Sequence, residues 1–268
     1  MRLLVATTIV CVFAGAQPSG AQQNQTTEPG LYRSTVTPAQ PAGPLPTPVH
    51  TGLKELVKDI GRDFVALPSR ENLYWTLAGG AAALAAHKAD DYVQSHVVDN
   101  PTADAFFGPG RVIGAVVPLG GSVGTYVWGR MRNQPRVSHV GSDLIQGLVV
   151  AQVLTQALKY TTQRERPDQS DTTSFPSAHA ASTFAFATAL ERHLGWRYAV
   201  PAFAGAFYVA ASRLPANRHW FSDVVFGATV GIIAGRTVTS QEARSYPVAL
   251  TAVPGGAALM ITPRRFNR

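Results

Sequence analysis

Three short stretches of the 268-residue chain hold residue types that together can handle a phosphoryl group. In the first, Lys159 is followed after six residues by Arg166 and Pro167. Two cations near the end of an apolar helix are ordinary in themselves, because they complement the negative end of the helix dipole. The second reads Ser174-Phe175-Pro176-Ser177-Ala178-His179 and runs on into Ala180 to Phe184. Ser177 suits a helix N-cap, and the free N–H groups behind it make an anion site with His179 in the first turn. The third is Ser212-Arg213, five residues, His219, three residues, Asp223. This spacing predicts His219 and Asp223 on one helix face, where the carboxylate can accept the Nδ1–H and leave Nε2 its lone pair.

Separately these stretches are structural commonplaces; together they specify a reaction. Lys159, Arg166 and Arg213 offer three positive charges to a phosphoryl group carrying about −1.5 to −2. The arginines can grip oxygens in pairs, while lysine acts as a point charge. His219 is the expected nucleophile, forming a phosphohistidine that divides one hard displacement into two. His179 is the expected acid, protonating the leaving oxygen and then taking a proton from water. Fixed cations stand where many phosphatases place a metal, so no metal and no cofactor is expected.

The three stretches resemble the signature of the type 2 phosphatidic acid phosphatase and vanadium haloperoxidase superfamily. The chain reads K-YTTQRE-RP at 159–167, PSAH at 176–179 and SR-LPANR-H-WFS-D at 212–223, at that family's spacings. Ala178 stands where the family often has glycine. The resemblance covers about 51–240. It implies an all-α helical bundle with phosphate held by Lys159, Arg166, Ser177, His179 and Arg213. It further implies His219 as nucleophile and Asp223 as its orienting partner. The superfamily also admits a vanadate-dependent haloperoxidase, and a non-catalytic phosphate- or lipid-binding protein is a third reading. Two histidines in one site argue against the last.

The elements that must position these residues follow from the hydrophobic pattern. Met1-Arg2 and the uncharged run Leu3 to Ala14, followed by small residues, predict a signal peptide over 1–21. Its Cys11 is the only cysteine, which excludes disulfides and thiol catalysis from the mature chain. Residues 22–50, rich in Gln, Thr and Pro, cannot bury enough apolar surface to fold and predict a flexible linker. From 51 to 240, uncharged stretches at 72–86, 112–129, 144–158, 178–190, 198–212 and 224–235 alternate with clusters of charge, so the core is read as all-α. Gly227, Gly231 and Gly235 recur every fourth residue, a spacing that admits close helix contact. Only 112–129 has the length usually needed to span a bilayer. In the tail, 241–268, strand-like residues flank Pro254-Gly255-Gly256 and predict a short β-hairpin.

Charge narrows the partners. Net charge is +7, but charged residues are only 15% of the chain and Lys and Arg are scattered. This favours a phosphorylated small molecule or lipid and contact with a membrane, and argues against nucleic acid. The expected location is outside the cytoplasm, periplasmic or membrane-held, with the site on the outer side of the cytoplasmic membrane. Gly120-Gly121-Ser122-Val123-Gly124 fits the serine-hydrolase pattern G-x-S-x-G but lies in a helical run, not the strand-turn-helix that chemistry needs. Asp90-Asp91 with His87 and His96 reads as a solvated helix end. His50, His139 and His193 read as connector or helix-end residues, and Arg164 and Glu165 as facing solvent or pairing locally.

Overall fold

A computed structural model of the chain describes residues 52–245 and two strands, 248–253 and 256–261. The expected signal peptide and linker lie outside the described residues. Eight helices follow in order: α1 (Leu53–Ala66), α2 (Arg70–His87), α3 (Asp90–Val97), α4 (Pro101–Met131), α5 (Pro135–Thr162), α6 (Ala178–Leu194), α7 (Trp196–Ala211) and α8 (Phe221–Ser245). Beyond them β1 (Val248–Val253) pairs antiparallel with β2 (Gly256–Ile261). The fold is the expected all-α bundle.

Local chemistry sets the helix ends that matter for the site. Asn100 caps α4 by accepting the N–H groups of Thr102 and Ala103, and Pro101 follows at a position where its missing N–H costs nothing. Helix α5 ends at Gln163, which adopts the left-handed conformation with φ 45°. The chain therefore leaves the helix before Arg164. Ser177 caps α6.

Helix α6 is the centre of the bundle. Its Ala181 and Ala185 pack with Val150 and Ala151 of α5 and with Val230, Ala234 and Val238 of α8. On its other side Ala180, Phe184 and Ala187 meet Ala206 and Ala210 of α7 and Val224 of α8. Helices α6 and α8 run parallel and nearly backbone to backbone. A Cβ on Gly227 would lie 2.5 Å from the Ser177 carbonyl oxygen, and one on Gly231 would lie 2.4 Å from that of Ala181. Only glycine permits this approach, which sets the N-termini of both helices side by side.

Among the described residues, three helices are long and apolar enough to cross a membrane: Pro101–Met131, Pro135–Thr162 and Phe221–Ser240. The uncharged runs alone predict one, because the helices continue through polar residues such as Gln146, Gln152 and Gln156. In α4 only 28% of the apolar window is buried. Val112, Val116, Leu119, Val123 and Val127 line its outer face, and Leu73, Leu77 and Leu84 on α2 and Val200 and Phe207 on α7 are also exposed. Apolar faces of this extent call for hydrocarbon rather than water around them. The protein is membrane-associated.

Candidate active site

The C-terminal ends of α5 and α7 and the N-terminal ends of α6 and α8 meet at one end of the bundle. Lys159, in the last turn of α5, is buried and donates from Nζ to the carbonyls of Thr173 and Ser174. The Ser177 hydroxyl accepts the Ala180 N–H, and the Ser177 N–H donates to the Asp223 carbonyl at 3.0 Å. Arg166 pairs through Nε with Asp171 at 2.8 Å and donates from Nη2 to the Thr173 hydroxyl. Arg213, just beyond α7, is buried with Nε and Nη1 lacking any hydrogen-bond partner among the described residues. Burial, with the nearby charges of Arg111, Arg166 and Arg218, pushes its pKa down to about 10. A guanidinium is not placed this way without an anion to receive.

His219 is buried in the loop before α8, not on the helix. The expected direct bond from its Nδ1 to Asp223 is replaced: Nδ1 lies 2.7 Å from the Ser174 carbonyl and 3.7 Å from Asp223 Oδ2. The reason is that Asp223 occupies the first turn of α8 and its carboxylate is already engaged. It accepts the Trp220 N–H at 2.9 Å, the Ser174 hydroxyl and Nη1 of Arg164 at 2.6 Å. A carbonyl can only accept, so Nδ1 carries the hydrogen and Nε2 keeps its lone pair. Burial pushes the His219 pKa below its ordinary value, and Lys159 and Arg213 act in the same direction against Asp223. His179 sits in the first turn of α6, its ring bonded to the Arg111 backbone. Burial, then the Arg213 and His219 charges, push it down to about 4.

Four residues join this site that the sequence reading passes over or places elsewhere. Arg111, on α4, adds a cation beside His179 and Arg213. Ser174 touches both His219 and Asp223. Arg164, expected at the surface, instead bridges two buried carboxylates, with Nη1 on Asp223 and Nη2 on Asp90 at 2.8 Å, and lies over the Trp220 ring. Asp90, expected on a solvated helix end, is buried and also accepts the N–H and hydroxyl of Ser222 at 2.8 and 2.7 Å. Burial opposes its charge, but the bonds from Ser222, Arg164 and His87 outweigh that and hold its pKa below the usual carboxylate value. It supplies an acceptor for an otherwise unpaired N–H at the start of α8. No local pattern announces these contacts, since Arg164 and Asp90 are 74 residues apart. The Gly120 to Gly124 stretch lies inside α4, away from any strand.

The helical bundle with these residues gathered at one end suggests a class, and residues 141–246 match the family model described as PAP2 superfamily. That stretch is less than half of the chain, and the likeness is of this stretch to that superfamily. Over 111 residues, 40% of its length, it is 38% identical to a protein of Porphyromonas gingivalis named Lipid A 1-phosphatase, and it covers 23% of that relative. Among solved structures it is similar to a transmembrane PAP2 type phosphatidylglycerolphosphate phosphatase from Bacillus subtilis. The TM-score is 0.54 and the identity 19%, over 66% of this chain and 98% of that one, a likeness of fold.

Proposed function

We propose that this chain is a metal-independent lipid phosphatase that works through a phosphohistidine on His219. The observation that carries the reading is the buried Arg213 guanidinium, with two unsatisfied donors, in the electrostatic neighbourhood of a histidine whose Nε2 is left nucleophilic. Lys159, Arg166 and Arg213 hold the phosphate oxygens, aided by the N–H groups at the Ser177-capped start of α6. Nε2 of His219 forms a bond to phosphorus while the bond to the leaving oxygen breaks. The positive charge that develops on the imidazole is stabilised by the Ser174 carbonyl and the Asp223 carboxylate. His179 gives its proton to the leaving oxygen, then takes one from the water that cleaves the N–P bond. With only protein charges around it His179 titrates near 4. The substrate's own negative charge must therefore raise that value for His179 to act as an acid.

The apolar outer faces and the names of the relatives, a lipid A 1-phosphatase and a phosphatidylglycerolphosphate phosphatase, support a lipid phosphate over a soluble one. The charged start and apolar run of 1–21 support export, with the site on the outer side of the cytoplasmic membrane and 22–50 as a spacer before the catalytic bundle. The test is phosphate release by the detergent-purified chain in EDTA, from phosphatidic acid, lipid A and p-nitrophenyl phosphate. Release from lipids is expected, with His219→Ala at least about a thousandfold slower and a phosphoenzyme trapped in the wild type only. Near-wild-type turnover in His219→Ala refutes the nucleophile. Halide oxidation with vanadate and peroxide, without hydrolysis, decides for a haloperoxidase.

A further inference from the structure

Between α5 and α6 the chain folds back on itself, and the residues just before Ser174 reach two of the cations at the site. The Arg166 N–H donates to the Asp171 carbonyl at 3.0 Å, and the Gln169 N–H donates to the Arg166 carbonyl at 3.0 Å, which closes a tight turn. Across that turn Asp171 Oδ1 lies 2.8 Å from Arg166 Nε. The same oxygen accepts the Thr173 N–H at 2.7 Å and the Thr173 hydroxyl at 2.6 Å. A hydroxyl has one hydrogen, and here Asp171 takes it. The Thr173 oxygen is left as an acceptor, and it receives Arg166 Nη2 at 3.1 Å. Thr173 is itself pinned from behind, because Lys159 Nζ donates to its carbonyl.

This network fixes Arg166 without using it up. Although Nε is ion-paired with Asp171, it is a buried donor with no hydrogen-bond partner among the described residues, as are Nε and Nη1 of Arg213. The Arg166 side chain keeps 17% of its surface exposed and that of Asp171 43%, so the pair stands at the rim of the site. A long guanidinium side chain at a rim has solvent-facing rotamers to adopt, and one held in place beforehand loses less freedom when it grips an anion. The Thr173 hydroxyl bond, then the Thr173 N–H and the Arg166 charge, hold the Asp171 carboxyl below its ordinary value against slight burial, so it is charged at neutral pH.

We propose that Asp171 and Thr173 are positioning residues that hold the Arg166 guanidinium in the orientation in which it receives phosphate, a role that rests on the reading of Arg166 as a phosphate ligand. Neither touches the substrate. Asp171 anchors Nε by charge and sets the Thr173 hydroxyl, and that hydroxyl fixes Nη2, so both act through Arg166 alone.

The experiment uses the full chain in detergent and measures its affinity for inorganic phosphate from the rise in unfolding temperature with phosphate concentration. Arg166→Gln and Asp171→Ala should each weaken phosphate binding about tenfold, the loss of one charge-assisted contact. Thr173→Val should follow them, and Asp171→Asn, which keeps the acceptor for Thr173 but not the charge, should fall between wild type and Asp171→Ala. In the Arg166→Gln background, Asp171→Ala should change the affinity by less than about twofold, because its route to phosphate is already gone. A residue that only braces the loop would weaken binding by the same factor in both backgrounds, and that result overturns the proposal. So does an Asp171→Ala protein that binds phosphate as wild type does while Arg166→Gln does not; the phosphate site then stands and only its positioning by Asp171 falls. Unchanged binding in Arg166→Gln removes Arg166 from the phosphate site and the proposal with it. Binding is read without turnover, so the assignment of His219 as nucleophile is tested separately.

Discussion

Gly227→Ala changes one hydrogen to a methyl group and should separate activity from stability. The new Cβ would sit 2.5 Å from the Ser177 carbonyl oxygen and 3.1 Å from both the Ser177 nitrogen and the Ala180 Cβ. A carbon and an oxygen in contact need about 3.3 Å, so α8 must retreat from α6 by about 0.8 Å at this point. The Ser177 N–H bond to the Asp223 carbonyl, 3.0 Å long, then stretches to about 3.8 Å and is lost. Ser177 starts the helix that carries His179, and Asp223 lies against His219, so the two histidines, the proposed acid and nucleophile, move apart by a similar amount. Misplacement on the order of 1 Å costs about a hundredfold in rate, so kcat/KM should fall about thirtyfold to a hundredfold. Overpacking costs about 1–3 kcal/mol, while alanine in place of glycine inside a helix returns about 1. The net loss of stability is thus about 0–2 kcal/mol, and the variant should fold. Phosphate release and thermal unfolding in the same detergent give both numbers. The control is Gly80→Ala, where a methyl meets nothing within 4 Å and should stabilise without changing the rate. A Gly227→Ala protein within threefold of wild-type kcat/KM would refute the idea that backbone contact between α6 and α8 sets the site geometry.

Two more outcomes follow from the charges. Arg164→Met leaves Asp90 and Asp223 buried without the cation they share, which should cost about 3 kcal/mol in chemical unfolding. That is the low end for breaking a buried pair, since the Arg164 side chain keeps about a quarter of its surface exposed; a loss below half a kcal/mol would show that the bridge is ornamental. The pH profile reports on His219. Its pKa lies below the ordinary 6.5, so the imidazole stays neutral and nucleophilic as pH falls through 6.5. After correction for the substrate phosphate, which titrates near about 6, the acid limb of kcat/KM should therefore fall below pH 6.5. A limb centred above 6.5 contradicts the burial argument.

The candidate site residues were legible in the sequence as local patterns: a cap at Ser177, a histidine two residues later, a histidine and aspartate four apart. The helices were legible because uncharged stretches this long can only be buried or lie in lipid. What could not be read was which polar groups meet across the fold. Asp90 appears as one of two adjacent acids and Arg164 as one charge in a polar loop. Only the docking of α3 against the start of α8 makes them partners. The spacing of His219 and Asp223 was read as helical, yet the helix begins at Phe221, so the histidine reaches a carbonyl rather than the carboxylate. The number of helices able to span a bilayer was underestimated for a related reason. Glutamines interrupt an apolar run in the sequence, but Gln152 is satisfied in the fold by the Ser182 hydroxyl of α6.

The Ser174 carbonyl, which holds the His219 ring, has a genetic consequence. A backbone oxygen is present whatever residue is encoded, so no codon change at position 174 can delete that contact directly. Substitution of Ser174 removes only its hydroxyl bond to Asp223, a graded effect. The His219 tautomer is thereby insulated from point mutation at the residue that sets it, and random mutagenesis would find the vulnerable positions at 177, 223 and 227, where the stretch of chain carrying that oxygen is held in place.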